Sequence, residues 1–314
     1  MRFLRSDYVG QNAAPSSFRS ADSWVILSPI EQSIKQKIEA VGTPLKDWDI
    51  SIYRGVLTGY NDAFIISTEK RNEILANCQS DAERTKTEEL IRPILRGRDI
   101  KRYSYDWAGL YLISTFPARQ YNIDDYPALK DYLLTCGYER LEQSGKTYII
   151  NGEKVKSRKK TSNKWFETQD SISYWEDFNK PKVMWKIIGC NINFCFDERQ
   201  MICNNAVDIM VGNKNNLIQF VGLMNSKLFD WYLKLTTEAE VQGGGIQLYV
   251  TTLEKTLVKL DFPHSLTDIV YRRICGLIKD EVVDESIFRA YSLTDEEIAF
   301  ICKDRRVNRK SGEV

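Results

Sequence analysis

Eleven cations stand in two tight groups. Arg92, Arg96, Arg98, Lys101 and Arg102 fall within eleven residues, and Lys154, Lys156, Arg158, Lys159, Lys160 and Lys164 crowd a polar segment farther along. Arginine presents a planar fork of N–H donors that matches phosphate oxygens and the O6/N7 edge of guanine, whereas lysine is a mobile point charge suited to phosphate. Gathered on one face, such groups bind a polyanion. Charge alone does not distinguish that use from a solvated face on which Glu88, Glu89 and Asp99 pair the arginines, or from a solvated loop in the second group. Thr58, Tyr60 and Asn61 form a third group around Gly59. Small and polar residues there let a backbone approach a phosphate or base edge, and they equally close an ordinary hairpin.

The elements that must carry these groups follow from periodicity. Residues 52–57 and 63–66 are β-prone runs on either side of Gly59, which predicts a hairpin. Pro93 and Gly97 keep the first cationic group from being one continuous helix. Residues 151–163 have too few apolar side chains to pack, which predicts a mobile loop. Strands are expected at 50–56, 63–67, 109–114, 148–150, 182–188, 191–196 and 206–211, and helices at 70–75, 85–91 and 126–141. Trp24 marks an apolar run ahead of an entry helix, which opens at Pro29 and places Ile34, Ile38 and Val41 on one face.

After residue 213 the pattern turns helical. Leu217, Phe220, Val221, Met224, Leu228 and Trp231 recur at helical spacing, as do Leu266, Ile269, Val270, Ile274 and Leu277. A Thr294-x-x-Glu297 capping box opens the last helix. The expectation is an α/β (α+β) chain in three parts: a linker and entry helix over 1–45, a mixed twisted β-sheet domain over 46–211, and a helical C-terminal region over 212–314 packed on it.

Composition bounds the chemistry. The chain has 314 residues, 43% hydrophobic and 28% charged, with a net charge of +1, so any polyanion contact depends on where the cations cluster. No run approaches the roughly 18–20 apolar residues of a membrane span, and no signal-peptide core follows the N-terminus, which predicts a cytoplasmic chain with no membrane partner. The seven cysteines form no CxxC pair and are read as reduced thiols; no metal site is expected. The single histidine, His264, falls at a predicted helix start, and no Gly-x-Ser-x-Gly accompanies it. No catalytic residue is assigned.

The order of these segments resembles the TaqI-like specificity domain, the target-recognition half of bacterial adenine-specific DNA methyltransferases and of the fused type IIG restriction enzymes. The likeness rests on IYRGVLTGYNDAFIIS at 52–67 and LIRPILRGRDIKRY at 90–103. It also rests on Lys164-Trp165-Phe166-Glu167 after the basic segment, Lys180-Pro181-Lys182-Val183 before a strand, and Met224-Asn225-Ser226-Lys227-Leu228 on the next helix. It spans residues 24–301. The resemblance implies double-stranded DNA as partner, with contacts from Thr58, Tyr60, Asn61 and all eleven cations named above.

Trp165, Glu167, Asn225 and Ser226 are then structural anchors, with Asn225 and Ser226 expected to bond the loop at Gly243–Gly245. Methyltransferases of this kind hold the target adenine with an Asn/Asp-Pro-Pro-Tyr/Phe motif, which cannot exist here because no two of the eight prolines are adjacent. The implied chain therefore binds no cofactor itself. S-adenosylmethionine, and Mg where DNA is also cut, belong to a parent enzyme whose methyltransferase domain lies upstream in the same chain or in a separate subunit. A stand-alone type I-like specificity subunit and a protein-interaction module that does not touch DNA are the alternatives.

Overall fold

The computed structural model describes residues 27–189, 193–236, 240–241 and 245–308. The expected linker at the N-terminus, Trp24, and Gly243 and Gly244 lie outside them. In chain order the elements that matter are α1 (Pro29–Val41), β1 (Ile50–Arg54), β2 (Ile65–Ser67), α2 (Thr68–Ala76), α3 (Asp81–Leu90), β3 (Ile91–Leu95), β4 (Leu110–Ile113) and α4 (Pro127–Thr135). The hairpin β5 (Thr147–Ile150) and β6 (Glu153–Lys156) follows, then β7 (Lys182–Lys186), β8 (Phe194–Asp197), β9 (Ile202–Cys203) and β10 (Val207–Gly212). Helices close the chain: α5 (Lys214–Asn225), α6 (Lys227–Thr236), α7 (Val250–Lys255), α8 (His264–Ile274), α9 (Asp280–Ala290) and α10 (Asp295–Lys303). The fold is α/β, with mixed sheets. Among the described residues no helix is long and apolar enough to cross a membrane.

The central layer is an antiparallel sheet in the order β8-β7-β10-β1. Side chains alternate across a strand. Val183, Trp185, Phe194, Phe196 and Met210 accordingly enter a core shared with α1 and the C-terminal helices, while Met184, Cys195, Val207 and Ile209 enter a second core on the opposite face. Burial on both faces is why these strands read as near-continuous apolar runs.

One charged pair sits inside this layer. Lys182 and Asp197 face each other in register, both fully buried, with Nζ donating to Oδ2 at 2.5 Å and to the Phe178 carbonyl at 2.8 Å. Asp197 also accepts from the Tyr105 hydroxyl and from the Arg199 and Met201 backbone N–H groups, each at 3.0 Å. Every partner a desolvated carboxylate needs is present.

The second sheet is mixed, ordered β9-β3-β4-β2, with β9 and β3 parallel and the other pairs antiparallel. Sequence reading misses β3, because Pro93 argues against a central strand. The strand accommodates it by changing partner there: residues 91–93 pair with β4, and Ile94 and Leu95 pair with β9.

The helix expected over 126–141 is broken at Gly137, whose φ is +90°, into Pro127–Thr135 and Tyr138–Leu141, and two further local expectations fail for physical reasons. The runs around Gly59 do not form a hairpin, since β1 pairs with β10 in one sheet and β2 with β4 in the other. Gly55 makes the crossing possible, because a Cβ there would meet the Asn204 carbonyl oxygen at 2.1 Å. The basic segment is not simply a loop either. Asn151 and Gly152, with φ of 52° and 86°, form a tight turn between β5 and β6, which places Lys154 and Lys156 on a strand.

α5 follows β10 directly, capped by Asn213, and Thr294 and Glu297 form the capping box of α10. Asn225 is buried, but it bonds the backbone of Phe194 on β8 (N–H to Oδ1 3.1 Å, Nδ2 to carbonyl 2.8 Å). Ser226 accepts from the Phe229 N–H at the start of α6 and donates to the Leu223 carbonyl. Leu277 falls beyond the end of α8 and is exposed, so it is not part of that helix's apolar face. The entry helix joins the same layer through Lys37 to Glu297 at 2.7 Å.

Lys182→Met tests the central pair. Leaving Asp197 buried without its cation should cost about 3–5 kcal/mol of unfolding free energy, measured by urea titration. A loss below about 1 kcal/mol would show that the backbone donors alone hold the carboxylate.

Candidate nucleic-acid interface

Arg158 is the one member of the basic segment that lies inside the molecule. Its side chain is 2% exposed and its guanidinium is surrounded by backbone oxygens. Nε donates to the Leu141 carbonyl at 2.7 Å. Nη1 donates to the Thr58 and Glu167 carbonyls at 2.8 and 2.7 Å, and Nη2 to the Trp165 carbonyl at 2.6 Å. The Phe64 ring packs 5.0 Å from it. Burial, and then the nearby Arg140 charge, push its pKa down to about 10, so it remains a cation at neutral pH. The expectation that Arg158 contacts DNA is therefore corrected. Its donors are taken by the protein.

The Gly59 turn is folded onto this arginine. Gly59 has φ +76°, and a Cβ there would meet Arg158 Cδ at 2.9 Å. Thr58 is fully buried, its hydroxyl donating to Asn61 Oδ1 at 2.7 Å and accepting from the Tyr60 N–H. Arg140 covers the Tyr60 ring at 4.2 Å. Glu167 is buried and caps the Lys164 N–H at 2.7 Å, and Trp165 packs between Tyr138 and Phe166. Thr58, Tyr60, Trp165 and Glu167 thus converge on the floor beneath the basic segment.

The arginine-rich turn splits. Arg96 forms a fork on Asp99 at 2.9 and 3.0 Å. Burial would raise the Asp99 pKa, but the bonds from Arg96 outweigh it and hold the carboxyl below its usual range. Arg92 donates to Asn179 and to the Gln200 carbonyl, and Arg102 pairs with Asp280 of α9 at 2.9 Å. These three are held by protein partners. Arg98 and Lys101 are exposed, and the Arg98 guanidinium makes no hydrogen bond to a described residue.

Arg98 and Lys101 line a cleft of about 870 Å³ at the end of the central sheet, together with Arg54, Asn205, Asp208 and Tyr249. Sequence reasoning does not single out Arg54. It stands across β1 and β10 from Asp208 in direct register. Both are charged residues interrupting apolar strand runs, and that interruption was the available signal. Asp208 is 2% exposed, and its Oδ1 has no hydrogen-bond partner. Burial raises its pKa to about 6 against the opposing pull of Arg54. Burial raises the Asp170 pKa against the pull of both Arg54 and Lys159. Lys154, Lys156, Lys159, Lys160 and Lys164 are all exposed.

A family model, the TaqI-like C-terminal specificity domain, matches residues 92–256, just over half of the chain. The chain belongs to this family. The match takes in the arginine-rich turn, the basic segment and the cleft residues Asn205, Asp208 and Tyr249, while Arg54 and the Gly59 turn precede it. Among solved structures, the type IIG restriction endonuclease BpuSI is similar at 12% identity and TM-score 0.55, over 88% of this chain and 32% of that one. The type IIL restriction-modification enzyme MmeI, solved in complex with DNA, has 12% identity and TM-score 0.46, over 84% and 36%. The chain spans about a third of the length of those chains. No curated protein matches the sequence.

Two stability outcomes follow for this domain. Arg158→Lys cannot serve four carbonyls at once, and should cost on the order of 3 kcal/mol or more in chemical denaturation. Asp208→Asn should do the reverse. A carboxyl whose folded pKa is raised contributes its stability below the unfolded pKa near 3.8 and loses it as pH rises through about 6. At ~1.4 kcal/mol per pKa unit, the neutral isostere should gain up to about 3 kcal/mol at pH 7.5, with the advantage over wild type vanishing below about pH 4. Unfolding curves at the two pH values check both size and sign.

Proposed function

We propose that this chain is the DNA target-recognition part of a type IIG-like adenine-N6 methyltransferase. It selects the sequence and clamps the duplex, while a methyltransferase domain, in the same chain or a separate subunit, binds S-adenosylmethionine and transfers the methyl group. The observation that carries this reading is the arrangement of cations on a member of the specificity-domain family. Lys154, Lys156, Lys159, Lys160 and Lys164 stand exposed on the hairpin and its exit segment, and Arg54, Arg98 and Lys101 line the cleft. Exposed lysines on a hairpin and its exit segment suit phosphates, which fix register without reading sequence. Free arginine forks at a sheet end suit base edges. Arg98 is the stronger candidate for base contact than Arg96, whose fork is closed on Asp99.

Selection of bound duplexes from a randomised pool, followed by sequencing, tests the reading. A common motif of a few base pairs is expected. Recovery of the unselected pool would sink it.

The phosphate role has its own measurement. Replacing Lys154, Lys156, Lys159 and Lys160 by alanine should weaken binding to all duplexes alike. The slope of log K against log salt should fall by about 0.9 for each phosphate that the variant no longer neutralises. An unchanged slope would place the duplex elsewhere on the surface.

A further inference from the structure

A duplex shows its base edges at the bottom of a groove, roughly 8.5 Å deep on the major side, so groove readers are side chains that protrude. Asp208 is the opposite case. It lies at the floor of a protein recess, 2% exposed, with Oδ1 unpartnered. What reaches it must itself protrude. A buried acceptor without a donor is unfavourable in the empty protein and becomes favourable when a ligand brings an N–H to it.

The rest of the recess narrows the class of ligand. Tyr249 on its wall is 49% exposed, an aromatic side chain of the kind on which bases stack. Arg98 and Lys101 at its edge are exposed cations, and Arg54 balances the carboxylate from the facing strand. The volume of about 870 Å³ is that of a small-molecule site and accommodates one nucleotide.

We propose that this cleft binds a single unpaired nucleotide whose base carries an exocyclic amino group. The amino group donates to Asp208, the base stacks on Tyr249, and the phosphate lies on Lys101, which leaves the Arg98 fork for a base edge of the duplex. Cytosine N4 and adenine N6 satisfy the acceptor. Thymine has no exocyclic amino group, and its ring N3–H is flanked by two carbonyls that the carboxylate repels. Two sources offer this chemistry, an extrahelical nucleotide of bound DNA and a free nucleotide. The first source rests on the DNA-recognition reading above.

The test uses three labelled duplexes, identical except for one unpaired cytosine, one unpaired thymine or neither, in fluorescence anisotropy, with calorimetry on free deoxycytidine and thymidine monophosphates. Wild type should prefer the cytosine duplex to the thymine duplex by about tenfold or more, as expected for one hydrogen bond to a charged acceptor. Asp208→Leu should abolish the preference. The exposed Tyr249→Leu should weaken both unpaired duplexes while keeping their ratio, which decides the matter if Asp208→Leu fails to fold.

Cytidylate binding without any preference among duplexes assigns the pocket to free nucleotide. If no duplex binds but cytidylate does, the pocket stands and the DNA reading falls. If all duplexes bind alike and neither monophosphate binds, the DNA reading stands and this proposal is overturned. If no duplex and no monophosphate binds, both fall.

Discussion

Four backbone carbonyls from three separate segments converge on one guanidinium, and the recognition face depends on that convergence. Without Arg158 the Thr58, Leu141 and Trp165 carbonyls would each lose their donor, and the Glu167 carbonyl would keep only the Gln143 amide. With it, three stretches of irregular backbone become a fixed platform. The fork is suited to this because it offers several donors in one plane, while lysine would offer a compact point charge. The lysines around it in sequence are left outside, on a surface whose base cannot shift. Preorganisation of that kind lets a mobile cation reach a phosphate without the backbone having to order as well.

Burial of charge is also where sequence reading stopped. Lys156, Arg158 and Lys159 are indistinguishable by composition, yet the middle one is interior and its neighbours are exposed. Local pattern recognises that a residue is charged. It does not know that a strand turn and the end of a helical turn, distant in sequence, will bring carbonyls to it. The same limit explains the false hairpin: strands expected at 50–56 and 63–67 form at 50–54 and 65–67, but their pairing is set by partners far away. The apolar runs of β7 and β10 and the capping box of α10 were legible because their causes are local or periodic. Arg54 and Asp208 each interrupt an apolar strand run, and what the interruption means shows only when the two strands are laid side by side.

Asp208 illustrates how such a site is maintained. A carboxylate whose pKa is raised by burial, with an oxygen left over, opposes the stability of the domain that contains it. The surrounding sheet tolerates this because Lys182 and Asp197, on β7 and β8 at the other side of β10, are fully satisfied and the faces on either side are packed. Local unfavourable terms persist where neighbouring structure over-determines the position.

The central sheet has a further consequence, for the order in which the chain folds. Residue 54 must find residue 208 before β1 can join β10, while β7, β8 and β10 are near neighbours in sequence. Long loop closure makes such pairings slow relative to local ones. β1 is an edge strand and carries Arg54, so the recess lacks that wall until residues 54 and 208 have paired. A population arrested before that step would hold its helical core and three-stranded sheet intact, and would be blind to any ligand of the recess.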